Sequence, residues 1–476
     1  MRRSRRAALL LGVVLPLGSQ AETFQDTKGN TWEISGFMKI EATRATDAPR
    51  QISPNDSLYK YDQRNAFVPV PGNPTLGSRS SSLALQQLAL GYSHETEGAV
   101  TFEARASYRW RSTADLGEWF SASDVGYRSG KGLANRDWFE KFVGASRPDL
   151  GFVRYGTQLS RTWARSDSFS YPIGLANQWA GTGAGFSVMP EALRLTSKPF
   201  EDGIGKLTFE VSLGRDRLNT DNIQQNRVTQ SKIDYQPGAT EPRLIELFLQ
   251  YSRERHLIEF TLQNVTGARQ SSFGKAPLVG WIGDPDQMSV GGAWLPRRAG
   301  KPGQSAATLQ GNYWPNPQNM LTYGARHNRW TGSAASCAYD SVQKLCLFGL
   351  DPGFNYGDRN SDYTGYRASN YDLMLGWSHY RGLYTYTAGG VYYGRASSAN
   401  PIEWGQSNTA LSLNLGIYRK LPELHKGASV YGGIGWSRVS RLGPAPVSMP
   451  DNLFLGFNSH YDRSGSSATV GFNLVF

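Results

Sequence analysis

The sequence predicts an all-β fold, a transmembrane antiparallel β-barrel of sixteen strands, with eighteen as the alternative count. Three observations predict it. Segments of about ten residues alternate apolar and polar side chains, as a strand with one face in lipid and one in water requires. Glycine (53), tyrosine (24) and tryptophan (13) are abundant, and the aromatic residues fall near segment ends, where membrane barrels carry interfacial girdles. Beyond residue 21 no apolar stretch approaches the about 20 residues that a spanning helix needs.

The N-terminus opens with Arg2, Arg3, Arg5 and Arg6, runs apolar from Ala7 to Leu17 and closes on Gly18-Ser19-Gln20-Ala21. This is the pattern of a secretory signal peptide over residues 1–21, with Ser19 and Ala21 suited to cleavage before Glu22. The remaining residues, 22–476, form the expected barrel, exported through the periplasm to the outer membrane. Without the signal the chain carries 46 basic and 39 acidic residues, spread along its length. A nucleic-acid binder would gather its surplus on one face. Charge lining a lumen is the better use.

The first strand puts Trp32, Ile34, Met38, Ile40 and Ala42 on one face, against Glu33, Ser35, Lys39, Glu41 and Thr43 on the other. From Val100 to Arg111 the alternation is clearest: Phe102, Ala104, Ala106, Tyr108 and Trp110 interleave with Glu103, Arg105, Ser107, Arg109 and Arg111. Charges on the second face cannot point into lipid, so that face lines the lumen. Comparable alternation marks Leu207 to Leu213, Ile245 to Tyr251, Ile258 to Leu262, Leu411 to Ile417 and Val430 to Trp436. The last segment places Val470, Phe472, Leu474 and Phe476 on one face and Thr469, Gly471 and Asn473 on the other. A soluble sandwich would bury such faces in a core. The even spread of strands, the aromatic ends and the terminal phenylalanine disfavour it.

Outer-membrane barrels have short periplasmic turns and longer external loops. Short connections are expected at Glu95 to Gly98, Arg147 to Leu150, Glu201 to Gly205, Pro315 to Asn319, Arg381-Gly382 and Leu421 to Gly427. Long ones are expected at 46–80, 113–136, 160–190, 215–241, 331–366 and 441–466. With both termini periplasmic the strand number is even. The ambiguity between sixteen and eighteen lies between Gly267 and Pro302, where Leu278 to Ile282 reads as a strand or as part of a loop. Either count leaves an aqueous channel, which about eight strands would not.

The two cysteines, Cys337 and Cys346, stand in a polar loop and would reach an oxidising compartment. A disulfide there would contribute roughly 2–3 kcal/mol by chain entropy; the alternative is two free thiols. No histidine lies near enough to complete a metal site with them. Asp358, Asn360 and Asp362 have ligand-like spacing, but Tyr363 stands where a calcium loop needs glycine, so a solvated loop is expected. No metal and no cofactor is expected.

The segments Phe142-Val143-Gly144, Gly151-Phe152-Val153-Arg154-Tyr155-Gly156-Thr157-Gln158 and Leu193-Arg194-Leu195-Thr196-Ser197-Lys198-Pro199-Phe200 resemble the general porins of Gram-negative bacteria. The terminal Phe476 likewise resembles the signal read by the barrel-assembly machinery. The resemblance implies a homotrimer in contact with outer-membrane lipid and lipopolysaccharide, and a third external loop folded inward to constrict the pore. That loop would be residues 160–190, with Arg161, Arg165 and Asp167 followed by Glu191. Thr157 stands where the family often has an arginine, and the first strand lacks the family's common opening pattern.

Lys39, Glu41, Glu103, Arg105, Arg109, Arg111, Arg154 and Arg194 are the expected pore-lining residues. Their basic excess, with a basic loop, implies a preference for anions; the alternative is that these charges pair with lumen acids and merely satisfy the wall. Trp163, Tyr171 and Trp179 would either form a sugar slide or pack the loop. The expected function is passive diffusion of small hydrophilic solutes, with an eighteen-stranded channel specific for sugars or carboxylates as the alternative. A membrane hydrolase would need a histidine paired with a serine or acids near the rim, and His327 and His460 have no evident partners in sequence. No enzymatic activity is expected.

Overall fold

The computed structural model describes residues 21–46, 79–114, 136–161, 188–201, 203, 205–215, 243–266, 269–270, 277–278, 303–331, 337–340, 345–348, 367–398, 407–440 and 463–476. Among them sixteen strands form the barrel. They are β1 (Thr31–Thr46), β2 (Arg79–Glu95), β3 (Thr101–Ala114), β4 (Arg136–Arg147), β5 (Gly151–Leu159), β6 (Val188–Ser197), β7 (Lys206–Arg215) and β8 (Arg243–Arg253). The second half comprises β9 (His256–Thr266), β10 (Gly303–Asn316), β11 (Asn319–Thr331), β12 (Arg367–Arg381), β13 (Tyr384–Ser398), β14 (Ser407–Lys420), β15 (Ala428–Ser440) and β16 (Arg463–Val475).

Each strand pairs antiparallel with its chain neighbour. β16 returns to β1, from Phe37 opposite Val475 to Thr46 opposite Ser466, and the sheet closes. The count is therefore sixteen rather than eighteen. Of the ambiguous segment, only Pro277–Leu278 is described, paired with Arg269–Gln270 outside the barrel sheet. The expected short connections join consecutive strands at one end, together with a turn from Arg253 to His256 that the sequence reading had not singled out. There the two strands run in register from the turn itself, so the polar run Ser252-Arg253-Glu254-Arg255-His256 is used up in strand ends and a two-residue turn.

Alternation has the predicted sense. Leu88, Leu90, Phe102, Leu213, Ile245, Leu247, Leu249, Leu373, Leu375, Leu413, Leu415 and Ile434 are exposed on the outer surface. Their neighbours in sequence, including Glu210, Ser212, Glu246, Asp372 and Ser412, are turned inward and buried. Aromatic rings gather on the outside near the end with short turns: Phe24 stacks on Trp32, which meets Tyr92 edge to face, Phe200 stacks on Phe209, and Trp377 on His379. This is one girdle of a membrane barrel.

The seam between first and last strands has its own construction. β1 extends six residues past the point where Val475 faces Phe37, and a short strand, Glu22–Gln25, pairs with Thr31–Ile34 in the space left beside it. Phe476 exchanges two backbone hydrogen bonds with Gly36, at 2.7 and 3.0 Å. A side chain at Gly36 would meet the Gln87 carbonyl at 2.2 Å and the Phe476 ring at 3.0 Å, so the closure requires glycine.

Candidate pore wall

The inward side chains of the first eight strands form a chain of ion pairs. Arg105 on β3 donates to Glu33 on β1 at 2.8 Å and to the Ser35 hydroxyl at 3.1 Å. Glu103, two residues earlier, accepts from Arg154 Nε on β5 at 3.0 Å. The Arg154 guanidinium also lies over the rings of Phe142 and Phe152, at 4.7 and 3.9 Å from their centroids. All four charged groups keep about a fifth to a quarter of their side-chain surface exposed, so they border the lumen and are partly solvated.

Further round the wall the pairing tightens. At Gly156 the backbone takes a φ of 138°, where a β-carbon would collide with the Lys141 carbonyl, and the pairing of β5 with β6 shifts register just beyond it. A bulge re-aims the chain locally, and the residues after β5 turn onto neighbouring strands. Arg161 donates bidentately to Glu210 on β7, at 2.7 and 2.6 Å, while its backbone N–H donates to Glu246 on β8 at 2.7 Å. Arg194 on β6 reaches the same two acids, at 3.0 and 3.6 Å, and donates to the Ser212 hydroxyl and the Leu159 carbonyl. Glu210 thus bridges two guanidiniums while also accepting from Thr196.

The remaining inward wall is built of amides and hydroxyls. Glu259 on β9 accepts from Gln250 at 2.6 Å and from Gln310 at 3.0 Å, and Gln263 donates to Glu246. On β11 and β12, Asp372 accepts from Arg326 at 3.2 Å, from Asn328 at 3.0 Å and from Asn370.

The expected site residues are distributed as follows. Arg105, Arg154 and Glu103 lie in the partly exposed pairs, and Arg194 faces inward but is 4% exposed. Lys39 also faces inward, 1% exposed, with Nζ 5.9 Å from the Tyr431 ring centroid. Glu41 stands opposite Gly471, Arg109 opposite Gln87 and Arg111 opposite Leu85. Arg161 clamps β7 and β8, and Glu191 stands in β6 on the outward row, bound by Arg215 at 2.5 Å. Cys337 lies opposite Phe348 and Cys346 opposite Tyr339 in a two-stranded hairpin. Arg165, Asp167, Trp163, Tyr171, Trp179 and residues 1–20 lie outside the described residues.

Sequence reasoning missed Glu210, Glu246, Glu259, Arg326 and Asp372. For four of them the signal was present: Glu210, Glu246, Glu259 and Asp372 each interrupt an apolar alternation, as in Phe209-Glu210-Val211 and Ile245-Glu246-Leu247, which fixes them on the inward face, whereas Arg326 stands between Ala325 and His327 in a polar run.

No family model and no curated protein matches the sequence. Solved structures do match. The anion-selective porin from Comamonas acidovorans aligns over 94% of this chain and all of its own, at 13% identity and a TM-score of 0.52. The fold is porin-like. Salmonella typhi OmpF, solved with daunomycin, aligns over 96% of this chain and all of its own, at 11% identity and a TM-score of 0.51. In-vitro folded OmpT of Vibrio cholerae, an outer membrane protein solved in a trimer form, aligns over 94% and 99%, at 8% identity and a TM-score of 0.50. A closed porin-like barrel with an exposed apolar outer face is an outer-membrane protein, since only closed sheets leave no unpaired backbone in lipid.

Proposed function

We propose that this protein is a porin, a water-filled outer-membrane channel through which small hydrophilic solutes diffuse passively without chemical conversion. The observation that carries the reading is the two-faced wall: apolar side chains exposed outside, and charged and amide side chains turned inward on a sixteen-stranded sheet. A ring of this size encloses more space than its own side chains fill.

The finer parts of the reading belong to it. Residues 1–21 direct export and are removed, Phe476 serves assembly, and Cys337 pairs with Cys346. The protein assembles as a homotrimer among outer-membrane lipid and lipopolysaccharide, supported by the trimer form of the Vibrio cholerae neighbour. Residues 160–190 constrict the lumen, with Arg165 and Asp167 on the constricting segment. Anion preference is proposed in a mild form. Arg105, Arg154, Arg161 and Arg194 each have a carboxylate within ion-pair distance, which offsets much of the field that an unpaired basic wall would produce.

The test is reconstitution of the purified protein in a planar bilayer, with single-channel conductance and the reversal potential measured in a salt gradient. Stepwise conductance with a small anion-biased reversal potential is the expected result. A correctly folded barrel that conducts nothing would sink the proposal.

A further inference from the structure

The outer face of β12–β14 carries a cross-strand row of charge at the end with short turns. Arg381, the last residue of β12, stands opposite Tyr384 on β13, and Tyr384 stands opposite Arg419 on β14. Both arginines continue the outward rows of their strands, after Leu375 and Trp377 on β12 and after Leu413, Leu415 and Ile417 on β14. Their backbones are therefore two strand spacings apart, about 10 Å, with the Tyr384 side chain, 41% exposed, between them. Arg381 is exposed and forms no ion pair among the described residues. Arg419 meets Glu423 at 2.9 Å in a pair exposed on both sides, and such a pair gives up little when another anion shares the guanidinium.

Further along the same strands the outer face is dented. In successive rows His379 and Ile417 flank Tyr386, Trp377 and Leu415 flank Ala388, and Leu375 and Leu413 flank Gly390. Tyr386 belongs to the aromatic girdle, stacked on Tyr384 and tilted against His379. Beyond it β13 offers only a methyl group and a hydrogen, between large side chains on both neighbouring strands. This trough is part of an apolar groove of about 1020 Å³ on the outer face. Its wall is held open, because Trp377 Nε1 donates to Asn319 Oδ1 at 3.1 Å, which ties the indole to β11. Ala388 lies four residues from Tyr384, roughly 14 Å of extended strand.

We infer that this face binds an anionic glycerophospholipid of the leaflet at the short-turn end, with its phosphate between Arg381 and Arg419 and one acyl chain lying along Ala388 and Gly390. The order of chemistry along β13 is that of the lipid itself: a cation pair for the headgroup, aromatic rings at the glycerol ester, an apolar trough for the chain. Guanidiniums donate to phosphate oxygens in a matched planar geometry. A choline or ethanolamine headgroup would set a further cation beside Arg381, Arg419 and the exposed Lys420, whereas a glycerol headgroup adds none. The site lies on the lipid side of the wall and is independent of what passes through the lumen.

The test is native mass spectrometry of the detergent-solubilised protein titrated with dioleoyl phosphatidylglycerol or dioleoyl phosphatidylcholine. One phosphatidylglycerol per chain is expected, bound about tenfold more tightly than phosphatidylcholine. Arg381→Gln/Arg419→Gln should weaken phosphatidylglycerol about tenfold and bring the two lipids level, as lost charge-assisted hydrogen bonds at a solvated site require. Ala388→Leu fills the trough with a side chain suited to a lipid-facing wall and should weaken both lipids about fivefold. Arg147→Gln, at an exposed turn outside this row, should leave binding unchanged. Arg381→Gln alone breaks no ion pair and should weaken phosphatidylglycerol about threefold, so it remains informative where the double variant fails to fold. Equal binding of the two lipids by the wild type, or phosphatidylglycerol binding unmoved by the arginine variants or by Ala388→Leu, overturns the site. Displacement of the lipid by equimolar inorganic phosphate would assign the arginines to free anions, and a changed protomer number in Ala388→Leu with lipid binding intact would assign the groove to a second copy of the chain; either result also overturns it.

Discussion

Glu210 is the acid on which two arginines converge, and it is nearly inaccessible to solvent. Removing one charge from such a cluster leaves the others buried without compensation, which costs about 3–5 kcal/mol in comparable sites. Glu210→Gln is therefore expected to destabilise the barrel by about 3 kcal/mol, read as a lower urea midpoint for the loss of the folded band on unboiled gels. Arg147→Ala supplies the contrast. Its partner Asp149 and it are exposed at a turn, where ion pairs contribute little, and its midpoint should match wild type. The same residues show what the sequence made legible. Strand periodicity places Glu103, Arg105, Arg154 and Arg194 on the lumen face, because alternation settles which side a residue occupies. It says nothing of which acid stands across the next strand. That depends on stagger and on the bulge after Gly156, so the pairing of Arg161 with Glu210, 49 residues away, had no sequence signal. Apolar residues on the inward row, Phe37, Phe142 and Phe248 among them, also fell outside a simple apolar-out reading.

At the scale of elements, the seam is where a closed sheet is most exposed to failure, since it joins strands hundreds of residues apart. The turn before β1 is pinned by Asp26, which accepts from the backbone N–H of Lys28 and Asn30 and from the Asn30 side chain. Lys426, in the last turn, binds Glu22 on the short strand at 3.0 Å. Gly36→Val should prevent Phe476 from docking beside Gln87, and the measurement is the fraction of protein that reaches the folded, heat-modifiable form; a wild-type fraction would contradict the seam argument. The Asp26 turn adds a pH dependence. Hydrogen bonding from Asn30 holds its carboxyl below the ordinary aspartate value. A depressed folded value stabilises above the unfolded one and loses that contribution as pH falls through the folded one. Proteolysis of residues 22–30 should therefore accelerate only below about pH 4, and Asp26→Asn should abolish that acid sensitivity. The strands were readable from sequence, but this hairpin was not, since four residues are too few for periodicity to register.

For the whole molecule, selectivity is a property of the summed wall. Each partly exposed arginine of the described lumen stands beside an acid: Arg105 with Glu33 and Arg154 with Glu103. The pairs are solvated enough to act on passing ions but are nearly neutral as units. Neutralising one partner exposes the other, so the sign of the effect is set by which member is removed. Arg105→Ala and Arg154→Ala should each move the reversal potential in a salt gradient towards cation preference, and the double variant further. Glu33→Gln and Glu103→Gln should move it the other way. Because these residues line the wall without closing it, single-channel conductance should change less than twofold in all four single variants, a magnitude on the order expected when local charge changes but pore dimensions do not. A reversal potential unmoved by either set would mean that ions do not pass along β1, β3 and β5, and the selectivity would then have to be carried elsewhere on the barrel.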